Sequence, residues 1–214
     1  MAVTFKWGAR KGDMPVPAPA MVSEPPITLS TSKVLPRVIS VLSQRSSPVL
    51  LDLGPVVGSN IAFFGDRLAC KIHVEDLFNE VEEHARRSSR DGLATTLIGR
   101  LRHPDESIDG VLCWDLFDFL DNATGKALAT RLASLLRQGG VLYGFFGTTP
   151  VELLHYTRFA VASENTFRQK TYPATAVRRN VLLTRDINRM FEGLVVAESV
   201  LLKSSTRETL FRKP

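Results

Sequence analysis

Val49-Leu-Leu-Asp-Leu-Gly-Pro-Val-Val-Gly58 is the stretch on which the fold turns. Its apolar run closes on Asp52, and Gly54 and Gly58 follow. A short continuous apolar run reads as a strand buried on both faces, as in a parallel sheet. Glycines after such a strand permit a tight turn and close backbone approach to a ligand, and a helix opening there offers unpaired N–H groups. Residues Ser59 to Leu68, with Ile61, Phe64 and Leu68 on one face, supply that helix.

The alternation continues downstream. Lys71 to Val74 is a second strand, with Glu75 and Asp76 where it ends. Leu77 to Arg90 carries its acids first and its arginines last, as a helix matched to its own dipole would, and Gly92 stops it. Ala94 to Ile98, Asp109 to Trp114 and Gly140 to Phe146 are expected as the third, fourth and fifth strands, with a helix over Ala123 to Leu136 before the fifth. Thr184 to Phe191 is a short helix, and Leu194 to Lys203 and Glu208 to Arg212 make a terminal hairpin. Upstream, Thr31 or Ser32 caps a helix whose apolar face is Val34, Leu35, Val38, Ile39, Val41 and Leu42. The pattern predicts a doubly wound α/β domain over residues 30–214, with ligands at the carboxyl ends of its strands. Residues 1–29, with Pro15, Pro17, Pro19, Pro25 and Pro26, are expected as a flexible leader. Residues 148–179 form an insertion of about thirty residues, a candidate cap over the site or a dimer contact.

With 214 residues, 44% of them hydrophobic and 23% charged, the chain can bury one sizeable core, which excludes a disordered, collagenous or fibrous protein. The sequence contains neither an apolar run of membrane-spanning length nor a signal-peptide core, so a cytoplasmic protein without membrane contact is expected. Cys70 and Cys113 lie far apart with no ligand spacing around either, which argues against a disulfide framework or a zinc site. The net charge of +5 is uneven, −2 over residues 1–130 and +7 beyond. Arg158, Arg168, Lys170, Arg178, Arg179, Arg185 and Arg189 carry most of the excess; segment 158–189 is open to nucleic acid or another anionic partner, with a solvated face the preferred reading.

The first motif, Asp52, Gly54 and Gly58, resembles that of class I S-adenosylmethionine-dependent methyltransferases. Leu136-Arg-Gln-Gly-Gly-Val-Leu142 is similar to the family's turn into strand five, and Pro104-Asp-Glu-Ser-Ile-Asp-Gly-Val-Leu112 to its loop entering strand four. The resemblance implies a mostly parallel seven-stranded sheet with an antiparallel last strand. S-adenosylmethionine is the implied cofactor, with Asp52, Gly54 and Gly58 around it and Glu75 or Asp76 on the ribose. Asp76 is equally suited to cap the following helix. Trp114 would wall the pocket; Asp115 would orient the cofactor or acceptor, or belong with Asp118 to the polar rim of a core cluster. His155 and Tyr156 are candidate bases. Two departures stand out. Val56 replaces the middle glycine and is expected to narrow the pocket, and Gly99-Arg-Leu-Arg102 lacks the acid that meets adenine, leaving backbone near Leu101 for that role. GxGxxG spacing is absent, which disfavours a nicotinamide enzyme. The implied activity is methyl transfer to an unidentified acceptor; the alternative is a catalytically inactive binding or scaffolding protein of the same fold.

Overall fold

The computed structural model describes residues 25–87, 92–149, 152–178 and 181–214. Six strands form the main sheet in the order β3-β2-β4-β5-β9-β8: β2 (Val49–Asp52), β3 (Lys71–Val74), β4 (Ile108–Trp114), β5 (Leu136–Gly147), β8 (Val195–Leu201) and β9 (Thr206–Arg212). The first four are parallel, and β9 runs antiparallel between β5 and β8. Alternation along the strands sorts side chains onto two cores. Leu50, Leu112 and Trp114 pack with Val34, with Leu35 and Val38 of α1 (Leu35–Leu42) and with Phe64 of α2 (Gly58–Leu68). Leu51, Val111 and Cys113 face Val81 of α3 (Leu77–Arg86), Leu97 of α4 (Leu93–Arg100), Leu132 of α5 (Asn122–Leu135) and Ile187 of α6 (Thr184–Met190).

The expected strand over Ala94 to Ile98 is instead part of helix α4, so the main sheet has six strands among the described residues, with β3 at its edge. Leu93, Leu97 and Leu101 are the reason: spaced four apart, all three are buried, which is helical periodicity that outweighs the β-branched Thr95 and Thr96. The expected leader boundary also moves. Residues 1–24 lie outside the described structure, but Ile27–Thr31 is a strand, β1, antiparallel to β7. Ile27 and Leu29 alternate with Thr28 and Ser30 just past the proline pair, a period-two signal.

The insertion is built from β6 (Glu152–Ser163) and β7 (Thr166–Arg178), which with β1 make a second, antiparallel sheet in the order β1-β7-β6. It covers the carboxyl ends of the main sheet: Phe159 stacks on Trp114 at the end of β4, and the Glu82 carboxylate of α3 accepts from the Thr175 N–H of β7 at 2.7 Å. A buried polar network ties the first helix to the antiparallel strand. Glu208 of β9 accepts from the Tyr143 hydroxyl at 2.5 Å, from the Lys33 N–H at 3.1 Å and from the Ser32 hydroxyl, while Ser32 Oγ accepts the Leu35 N–H at 2.8 Å.

Candidate functional site

The carboxyl ends of β2, β3 and β4 converge on Asp52. Parallel register places Asp52 beside Val74 on one side and Leu112 on the other, and the Glu75 N–H donates to the Asp52 carbonyl at 2.8 Å. The Asp52 side chain turns inward, leaving the residue 3% exposed. Its Oδ1 accepts from the Gly54 N–H at 3.0 Å and from the indole Nε1 of Trp114 at 2.6 Å. Burial pushes this carboxyl up to about 6, against the lowering by the Trp114, Gly54 and Asn60 donors, and Asp76 adds to the rise. Among the described residues no lysine or arginine pairs with it. Here is a buried acid that changes charge near neutral pH and is held by uncharged donors alone.

Trp114 reaches Asp52 because its backbone takes the left-handed conformation, φ +51°, which an aromatic residue adopts only under constraint. The indole lies directly on the first turn: a Cβ on Gly54 would stand 2.6 Å from Trp114 Cδ1, so that position accepts only glycine. Phe159 of β6 stacks on the indole at 5.3 Å and 4°, and Phe145 stacks on Phe159 at 5.0 Å and 17°. Asn60, in the first turn of α2, binds the open edge of β6 with both ends of its amide: Nδ2 donates to the Phe159 carbonyl at 2.9 Å, and Oδ1 accepts the Val161 N–H at 2.7 Å.

Strand alternation makes β6 a partition. His155, Thr157 and Phe159 line a cavity of about 140 Å³ together with Asp115, Gln169 and Thr206. Tyr156 and Arg158 line another of about 180 Å³ with Pro55, Asp76, Asn79 and Glu82. Asp115 and His155 are therefore brought to the same cavity, and Tyr156 is not with them. Tyr156 is stacked between Phe78 at 4.5 Å and Tyr172 at 5.5 Å, and the Arg158 guanidinium lies 4.7 Å over the Tyr172 ring.

The other expected residues take distinct places. Gly58 opens α2, where an added Cβ would meet nothing. Glu75 is held through Oε2 by Arg100, Nη2 at 3.2 Å and Nε at 3.3 Å, and Arg100 also reaches Glu80 at 2.9 Å. Asp76 caps α3, accepting the Asn79 N–H at 3.2 Å, and also lines the larger cavity; burial raises its pKa, opposed by the Asn79 N–H, Arg158 and Arg100. Val56, expected to narrow the pocket, is 63% exposed and lines neither cavity; the bulk at the first turn comes from Trp114. The Leu101 carbonyl, a backbone candidate for adenine, already accepts from Arg131 Nη2 at 2.9 Å. His73 stacks edge-on with His103 at 4.6 Å.

Of the basic segment, Arg158 turns into the cleft, Arg168 is exposed on β7, and Arg185 and Arg189 are exposed on α6. The side chain of Arg178 and all of Arg179 lie outside the described residues. Among the described residues no group of three or more His, Cys, Asp or Glu side chains could hold a metal ion, and no helix is long and apolar enough to cross a membrane. Asn60, Arg100 and Phe159 were not singled out as site residues by their sequence context, and Arg158 enters there only as part of the basic segment. Asn60, Arg100 and Phe159 each act on a partner 25 to 101 positions away, a relation that local spacing does not carry.

A parallel β3-β2-β4-β5 core extended by an antiparallel β9 inserted before β8, with acidic residues at the ends of β2 and β3, defines the class I methyltransferase fold. Comparison with known proteins agrees at the level of the fold. A crystal structure of an S-adenosylmethionine-dependent methyltransferase from Mesorhizobium loti matches with a TM-score of 0.53 at 12% identity, over 83% of this chain and 96% of that one. The PH0226 protein of Pyrococcus horikoshii OT3 matches with a TM-score of 0.52 at 15% identity, over 85% of this chain and 88% of that one. No family model matches the sequence, and no curated protein does.

Proposed function

We propose that this chain binds S-adenosylmethionine at the carboxyl ends of β2 and β3 and transfers its methyl group to an acceptor, in the cytoplasm. One observation carries the reading: at the ligand-binding edge of a methyltransferase fold, Asp52 is a buried carboxylate with no cation beside it among the described residues. An uncompensated buried carboxylate favours a cationic ligand, because the ligand's charge offsets the desolvation. Around it, Gly58 leaves the opening turn of α2 accessible, Glu75 presents a fixed carboxylate, and Asp76 borders the larger cavity. These residues suit a positively charged nucleoside derivative. The chemistry such a cofactor supplies is an electrophilic methyl on a sulfonium, displaced in line by an acceptor's lone pair, so the protein's part is positioning and exclusion of water. Asp52 would hold charge, Glu75 would orient the ribose hydroxyls, and His155, which lines the smaller cavity along with Asp115, would take a proton from an acceptor.

A second reading, a catalytically inactive binding protein of this fold, is favoured by one specific feature, the indole filling the space against Gly54. Calorimetric titration separates the two. Binding of S-adenosylmethionine and S-adenosylhomocysteine but not NADH, lost in Asp52→Ala, supports the cofactor site. Silence of the folded chain at millimolar ligand, shared by the variants described below, leaves the second reading.

A further inference from the structure

We propose that β6–β7 is a strap that closes the site from within, its Phe159 pinning the Trp114 indole over Asp52 and its open edge latched to the body by Asn60. This rests on the reading of Asp52 as the centre of a cofactor site. The indole N–H occupies Asp52 Oδ1 at 2.6 Å and the ring fills the contact with Gly54, so a ligand that reaches this oxygen over the first turn takes the indole's place. The indole cannot leave alone. Phe159 lies flat against one of its faces and is itself backed by Phe145, while Phe167 meets Trp114 edge-on at 5.8 Å.

The latch is equally specific. In the order β1-β7-β6, β6 is an edge strand, and the Phe159 carbonyl and Val161 N–H on its unpaired side are satisfied by the single side chain of Asn60. Asn60 is 3% exposed and sits three residues past Val57, its N–H bonded to the Val57 carbonyl at 2.9 Å. The first turn, the latch and the strap are thus one mechanical unit: what disturbs the first turn reaches β6 through two hydrogen bonds. Because β6 also divides the cleft, with His155 and Thr157 on one side and Tyr156 and Arg158 on the other, lifting it would join the two cavities as well as free Asp52. A closed state of this kind lowers apparent affinity by the fraction of molecules that are open.

The test compares S-adenosylhomocysteine affinity of the full chain with that of Asn60→Ala and Phe159→Ala by calorimetry, each checked for a native circular dichroism spectrum. Both variants should bind at least about tenfold more tightly than the parent. Equal affinities overturn the strap and leave the cofactor site standing; silence of all three folded proteins overturns both. Should a variant fail to fold, hydrogen exchange on the parent decides: saturating S-adenosylhomocysteine should speed exchange of the Val161 amide, and unchanged or slower exchange overturns the strap.

Discussion

Two buried aspartates stand at opposite ends of the central strands, each 3% exposed, and they are treated in opposite ways. Asp109, at the amino end of β4, accepts the Val49 N–H at 2.8 Å and is flanked by two cations, Arg137 Nη1 at 2.8 Å and Arg45 Nε at 3.7 Å. Asp52, at the carboxyl end of β2, has an indole and a glycine N–H. The amino end is a clamp, in which a charge is neutralised and the loops beneath the sheet are tied together. The carboxyl end leaves the Asp52 charge without a counter-ion among the described residues, and a fold that tolerates such a penalty at the carboxyl ends of its strands has kept that place for something other than stability.

Removing each aspartate should break this symmetry. Asp109→Ala removes the carboxylate between two arginines and leaves the Val49 N–H without its acceptor; since both arginines are nearly half exposed, partly rehydrate and keep the Gln138 and Glu106 carbonyls, the loss should be about 3 kcal/mol in denaturant unfolding. Asp52→Asn should act in the other direction. With its folded pKa at about 6 and its unfolded value near 3.8, Asp52 binds more protons folded than unfolded between these values. Its contribution is favourable below pH 4 and is lost as pH rises to 6, on the order of 3 kcal/mol across that window. The substituted amide cannot ionise, so the variant should gain about 3 kcal/mol at pH 7.5, nothing at pH 3.5, and lose the slope between. A variant less stable than the parent at pH 7.5 would show that Asp52 is structural, like Asp109.

The fold was more legible in sequence than either the clamp or the site. Strands β2, β4, β5 and the terminal hairpin rest on contiguous apolar runs bounded by glycine or polar turns, a signal confined to a few neighbouring residues. Residues 94–98 misled because Thr95 and Thr96 suggest a strand locally, whereas Leu93, Leu97 and Leu101 declare a helix only over a longer window. Asp52, Gly54 and Glu75 were visible as types at a spacing, but their present partners were not. The indole on Asp52 depends on a left-handed Trp114 and on Phe159, 45 residues further on, and no periodicity connects them. Glycine at 54 looked like conformational freedom; in the structure it is required by contact with Trp114.

Trp114→Phe sharpens the contrast at Asp52 by keeping a ring against Phe159 while deleting the donor. The indole N–H favours the ionised carboxylate, so its removal raises the Asp52 pKa further and should destabilise most where that group is charged. About 2 kcal/mol at pH 8 is expected, and less at pH 5. A loss independent of pH would mean that packing alone, and not the hydrogen bond, accounts for Trp114.

The smallest effect is expected at Arg100, a cation at this end that does meet site carboxylates. Its side chain is 47% exposed and its bonds to Glu75 and Glu80 are screened by water and salt, so Arg100→Ala should cost less than about 1 kcal/mol of stability, shrinking further at high ionic strength. Its consequence for binding is separate. Both contacts to Glu75 land on Oε2, which orients the carboxylate while leaving Oε1 outside that pair. Loss of that orientation should weaken S-adenosylhomocysteine binding by about threefold, against at least about thirtyfold for Glu75→Ala, which removes the acceptor itself. If Glu75→Ala proves no worse than Arg100→Ala, the ribose contact belongs to Asp76, and the cap of α3 doubles as the ligand's anchor.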